Sequence, residues 1–300
     1  MRHLVALSIL LAFASAAPGA SDPLTRPGKL KVGVTTVTAV DTSRGNRALP
    51  TELWYPARRA GRDAAPLARQ YPLVIIAHGL CGSRLYYDYL APHLASWGFI
   101  VAAPDFTGFT RADCDAGPFT ATLDDLPLDL SFVCRDLHDV AGPLGTWAHH
   151  VRGIPTALVG NSLGGLAAVG AVSIDPSFTA FVGLAAAAPP NLAPPLADLH
   201  RAWMIMGATG DETVSFTNWT EPFFEQLPAP SFLVRFTGGS HTGFSDENPE
   251  TEPDPRQAQH DVAKRYATPF LLKYLAQKSK FGRRLRPTDD GVAALVARPK

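Results

Sequence analysis

The sequence predicts an α/β fold: a mostly parallel sheet with an antiparallel N-terminal edge and helices on both faces. Short continuous apolar runs recur at residues 73–77, 100–103, 156–159, 181–185, 203–206 and 232–236. Continuous rather than alternating hydrophobicity marks strands buried on both faces. Helical stretches alternate with these runs, at 87–97, 128–149, 163–174, 217–226 and 256–278, and that alternation produces a parallel sheet covered on each side. Ahead of them, residues 29–40 and 49–55 alternate β-branched and aromatic side chains around a break at 41–46, which reads as an antiparallel strand pair.

Of the 300 residues, 46% are hydrophobic and 18% charged, with 27 Lys+Arg against 27 Asp+Glu. This composition excludes a disordered chain and provides no bulk basic surface for nucleic acid. Residues 1–16 carry a basic start, an apolar run from Leu4 to Phe13 and an Ala14-Ser15-Ala16 cleavage pattern, the form of a secretory signal peptide. The run is too short to span a bilayer and no later stretch reaches the length of a membrane span. The expected organisation is a leader at 1–16, a catalytic domain at 17–280 and a basic, loosely ordered tail at 281–300. The charge balance is a cancellation. Residues 278–300 hold seven basic against two acidic side chains, and residues 17–277 hold 19 against 25. Removing the tail is expected to spare activity and to alter adsorption to anionic surfaces.

An exported chain meets an oxidising compartment, where Cys81, Cys114 and Cys134 permit one bridge. Cys114 with Cys134 would close a loop of about twenty residues, contributing about 3 kcal/mol, and leave Cys81 free. Three unpaired cysteines are the alternative, since sequence does not set connectivity.

Gly160-Asn161-Ser162-Leu163-Gly164 matches G-x-S-x-G between a buried strand and a Gly/Ala-rich helix, the setting of a nucleophile elbow. A serine hydroxyl needs a base, and the base needs an orienting carboxylate. In this motif's chain order of Ser, acid, His, Asp211 follows the strand at 203–206 and His241 follows the strand at 232–236. Asp198 precedes its strand, while His149, His150, His200 and His260 fall on helix ends, a strand approach or the last helix. An oxyanion hole needs two N–H donors. Leu163, next to the nucleophile, and Leu80, in the His78-Gly79-Leu80-Cys81-Gly82 loop, are the candidates.

Together, His78-Gly79-Leu80, the 94–103 segment, the Gly160 to Gly165 elbow, the Gly239-Ser240-His241 loop and Leu53-Trp54-Tyr55-Pro56 resemble α/β-hydrolase serine esterases. The likeness extends to platelet-activating-factor acetylhydrolases and dienelactone-hydrolase-like esterases, over residues 30–277. The resemblance implies the α/β-hydrolase fold and an ester substrate. Asn161 stands where such families often carry His, Trp or Tyr, and Ser162 stands where dienelactone hydrolases use a cysteine.

The short segment between 185 and 203 leaves no room for a large lid, favouring short acyl chains or extended polymeric esters. Phe106, Phe109, Trp219 and Phe244 follow strand ends, placed to line the site. The acidic runs at 113–139 and 246–254 lack the spacing of a calcium loop and read as solvated loops. No metal, dinucleotide or nucleotide motif is present in the sequence, so no cofactor is expected. The resulting expectation is an exported serine carboxylic-ester hydrolase acting on a small or polymeric ester. Acyl transfer through the same triad, or a catalytically silent binding domain of the same fold, are the alternatives.

Overall fold

A computed structural model of the chain describes residues 22–117, 121–188, 196–246 and 256–299. The leader expected at 1–16, most of the proline-dense loop at 188–195 and most of the acidic run at 246–254 lie outside them.

The strands are β1 (Lys31–Asp41), β2 (Arg47–Ala57), β3 (Gly61–Arg62), β4 (Tyr71–Ala77), β5 (Ile100–Pro104), β6 (Val151–Asn161), β7 (Phe178–Leu184), β8 (Ala202–Ala208), β9 (Ser231–Phe236), β10 (Thr288–Asp289) and β11 (Ala293–Arg298). Among the described residues they form one sheet in the order β10-β11-β9-β8-β7-β6-β4-β5-β2-β1-β3. From β5 through β9 neighbouring strands run parallel. β1 and β2 pair antiparallel from Lys31 opposite Ala57 to Asp41 opposite Arg47, and β2 joins β5 antiparallel. This is the α/β-hydrolase fold expected from the sequence, with its antiparallel edge.

The helices are α1 (Ala91–Ser96), α2 (Arg111–Ala116), α3 (Asp125–His138), α4 (Gly145–Ala148), α5 (Leu163–Ile174), α6 (Glu221–Glu225) and α7 (Arg256–Tyr274). The central strands read as continuous apolar runs because alternate side chains enter different cores. Leu73, Ile75 and Ala77 of β4 pack with residues of α3 and α5. Val74 and Ile76 pack on the other face with residues of α1 and α7. The single helix expected at 128–149 is two, α3 and α4, separated by Gly142 and Pro143; proline has no N–H to continue the helical ladder.

The expected loosely ordered tail is corrected. After a 3-10 turn at Ser279–Arg284, residues 288–298 form β10 and β11, and β11 pairs antiparallel with β9 from Ala293 opposite Phe236 to Arg298 opposite Ser231. Ala293 and Leu295 are buried, whereas Val296 is 49% exposed. A half-buried strand next to the sheet edge, made of Ala-Ala-Leu-Val-Ala-Arg, has only weak alternation, and the adjoining arginines mask it in the sequence. Trimming the chain from 281 therefore removes two strands of the sheet.

Candidate active site

β6 ends at Asn161 and α5 begins at Leu163, leaving Ser162 alone in the turn with φ 52° and ψ −122°. That region is costly for a residue with a side chain and persists only where its surroundings hold it. The surroundings here are close backbone contacts. A Cβ on Gly160 would lie 2.5 Å from the Gly164 carbonyl oxygen, and one on Gly164 would lie 2.1 Å from that of Ala77. Only glycine permits α5 to approach β4 and β6 this closely.

His241 joins the other two predicted residues. Its Nε2 lies 2.8 Å from Ser162 Oγ and its Nδ1 lies 2.8 Å from Asp211 Oδ2. The second Asp211 oxygen accepts the backbone N–H groups of Thr213 at 2.9 Å and Val214 at 2.7 Å. With its side chain fully buried, the carboxylate has its lone pairs satisfied and a fixed orientation. The loops after β8 and β9 are tied together: the Thr209 hydroxyl accepts the Gly238 N–H at 2.8 Å, and the Gly210 N–H donates to the Gly238 carbonyl at 3.0 Å. Gly238 and Gly239, at φ 76° and 68°, make the tight turn that leads to His241.

The loop after β4 lies over the serine. Gly79 sits so near that an added Cβ would be 3.2 Å from Ser162 Cβ. Among the described residues, the backbone N–H groups of Leu80 and Leu163 have no acceptor. Such donors at a helix start and an adjacent loop suit a developing oxyanion.

His78 braces this loop from behind. Its Nδ1 donates to the Gly79 carbonyl at 2.7 Å, and the Phe106 N–H donates to its Nε2 at 2.9 Å. An Nε2 that accepts a hydrogen bond requires the neutral ring, and burial likewise lowers the pKa of His78. Asp105 accepts the Arg84 N–H at 2.7 Å and pairs with its guanidinium, fastening the same loop to the end of β5. Asn161 donates to the Leu184 carbonyl at 2.8 Å and accepts from Tyr87, so it holds β7 to β6.

The disulfide expectation is corrected. Cys81 is bonded to Cys114, with Cα atoms 5.7 Å apart, and Cys134 is the free, buried thiol. Cys134 faces the core from α3, against Thr156 and Ser177. Cys81 and Cys114 meet because Gly82 bridges Thr110 and the Arg111 N–H donates to the Gly82 carbonyl. The bridge thus fastens the residue after Leu80 to α2.

The aromatic lining is corrected in three of four places. Phe106, Phe109 and Phe244 are buried core residues: each follows a strand end, but its ring turns into the packed interior and offers no surface to an open cleft. Trp219 is half-buried in a π-helical turn at Phe216–Thr220. The acidic run at 113–139 has structural partners. Asp113 caps α2 from its third position, and Asp129 pairs with Arg44 and Arg47 at 2.7 Å each.

Gln259 was not anticipated. From α7 its Nε2 donates to the Ser240 carbonyl at 2.9 Å and its Oε1 accepts the Ser240 N–H at 3.2 Å. A polar residue on the apolar face of the last helix was the available signal in the sequence.

The sequence model of the alpha/beta hydrolase family matches residues 74–296, and that of platelet-activating factor acetylhydrolase, isoform II, matches residues 19–109. The chain is 27% identical over 174 residues to cutinase est2 of Thermobifida alba, which covers 57% of this chain. The chain spans about half the length of that relative, 53%.

Proposed function

Because the chain belongs to the alpha/beta hydrolase family, we propose that it is an exported serine carboxylic-ester hydrolase working through an acyl-enzyme. The observation that carries this reading is His241, within 2.8 Å of both the Ser162 hydroxyl and the Asp211 carboxylate. Such a bridge supports proton transfer in both directions. Ser162 Oγ attacks the ester carbonyl while His241 Nε2 takes its proton, and Asp211 holds Nδ1 and stabilises the imidazolium. The N–H groups of Leu80 and Leu163 receive the oxyanion. His241 then protonates the leaving alcohol, and water releases the acid by the same steps in reverse.

The ester class is supported by the similarity to an acetylhydrolase family and to a cutinase. Short acyl chains or extended polyesters are the proposed substrates, with Trp219 the remaining aromatic candidate for substrate contact. Export is supported by the Cys81–Cys114 bridge, which fits an oxidising compartment. No helix among the described residues is long and apolar enough to cross a membrane. The catalytic domain is proposed to extend through β11.

Ser162→Ala should lower hydrolysis of p-nitrophenyl butyrate by roughly 10⁴–10⁶-fold with an unchanged circular dichroism spectrum, and should abolish labelling by a fluorophosphonate. Unchanged turnover in this variant overturns the assignment. A panel of esters graded by acyl length, with a solid polyester, then defines the substrate.

A further inference from the structure

Outside the candidate active site, one cavity concentrates positive charge. It encloses about 200 Å³ between α7, the 3-10 turn at Ser279–Arg284 and the start of the described chain, and its walls include Asp22, Arg265, Arg283, Arg284, Arg286 and Thr288. Four arginine residues therefore line one small space, Arg283, Arg284 and Arg286 being exposed to solvent. The local carboxylates offset only part of this charge: Asp290 and Asp22 pair with Arg265, and Asp22 also with Arg284. Asp290 is engaged by Arg265 and by the backbone N–H groups of Val292 and Ala293 at 3.1 and 2.8 Å.

Asp22 Oδ2 lies 3.6 Å from both Arg265 Nε and Arg284 Nη1, which is beyond hydrogen-bond distance. Its Oδ1 is instead taken by the Leu24 N–H at 2.9 Å. Among the described residues, Arg283 and Arg286 pair with no carboxylate. The Tyr266 hydroxyl lies 3.2 Å from Thr288 Oγ1, adding neutral hydrogen-bonding groups to the wall.

Like charges lining one space repel, and this arrangement is relieved by an anion with several acceptor oxygens. Guanidinium forks match the geometry of phosphate oxygens bidentately. The cavity is smaller than the roughly 300–1,000 Å³ that holds a drug-sized ligand, which favours a single charged group over a chain. We propose that Arg265, Arg283, Arg284 and Arg286 form a binding site for a phosphate dianion or phosphomonoester, with the Asp22 carboxylate as the internal group that the ligand displaces. The cavity lining includes none of Ser162, Asp211 and His241, so the site is separate from the proposed chemistry.

The test uses the full mature chain, titrated calorimetrically with inorganic phosphate against a background of sodium chloride at constant ionic strength. Saturable binding at one site is expected. The double substitution Arg283→Ala/Arg286→Ala should weaken it at least tenfold, and Asp22→Asn should tighten it. Hydrolysis of p-nitrophenyl butyrate should be the same in the double variant and the parent. A second arm compares sedimentation with vesicles of phosphatidylcholine alone and with phosphatidate added. Phosphatidate-dependent binding that the double substitution abolishes assigns the site to a lipid headgroup; binding of free phosphate alone assigns it to a soluble ligand. Absence of binding in both arms, or binding unchanged in the double variant, overturns the proposal.

Discussion

Gln259 holds both backbone groups of Ser240, the residue immediately before His241, through hydrogen bonds of 2.9 and 3.2 Å. It touches neither Ser162 nor Asp211, so its effect on the site passes through the His241 backbone. Gln259→Leu keeps the volume and removes both bonds. We expect kcat to fall on the order of 10–100-fold through misplacement of the imidazole, with KM nearly unchanged. The check is steady-state kinetics of Gln259→Leu against the parent; an unchanged kcat, or a change confined to KM, would refute the positioning role.

The Cys81–Cys114 bridge lies next to Leu80, and both sulfurs belong to half-buried residues that a reductant can reach. Closing a loop of this length contributes about 3–4 kcal/mol on the chain-entropy model. Cys81→Ser/Cys114→Ser should therefore lower the denaturation midpoint and also reduce kcat, because the loop that carries the Leu80 N–H loses its tether to α2. Dithiothreitol should reproduce both effects in the parent and neither in the double variant.

His138 connects α3 to β6 through two carbonyl groups: Nδ1 lies 2.8 Å from the Cys134 oxygen and Nε2 lies 2.7 Å from the Gly153 oxygen. Two acceptors demand two ring protons. Burial pulls the pKa down, but the bonds to the Cys134 side chain and backbone and to Gly153 raise it to about 9. A raised folded-state pKa contributes stability that is fully present below the ordinary histidine value and lost as pH rises through about 9. Urea midpoints for the parent and His138→Gln should thus differ most near pH 6 and converge by about pH 10. A difference that grows with pH would contradict this assignment.

The last strand predicts opposite outcomes for adjacent residues. Leu295 is 2% exposed and Val296 is 49% exposed. Leu295→Ala should cost about 2–5 kcal/mol, and Val296→Lys should remain within about 0.5 kcal/mol. Deleting residues 286–300 should lower the melting temperature and promote aggregation, since it uncovers the β9 edge.

The parallel strands were legible because burial on both faces imprints an unbroken apolar run, and the elbow because Gly160 and Gly164 have no substitute at such close approach. Ser162, Asp211 and His241 followed from the motif's chain order together with strand ends. Their 2.8 Å spacings did not, since three residues on three loops meet only when β6, β8 and β9 align in one sheet. What the sequence determined by itself is what local chemistry encodes: periodicity, turn glycines and charge totals. The tertiary structure decided which cysteine meets which, that Phe106, Phe109 and Phe244 turn into the core, that residues 293–298 complete the sheet, and that four arginines border one cavity. These depend on contacts between residues distant in the chain. A side chain's composition and spacing are the same whether its partner lies beside it or across the sheet.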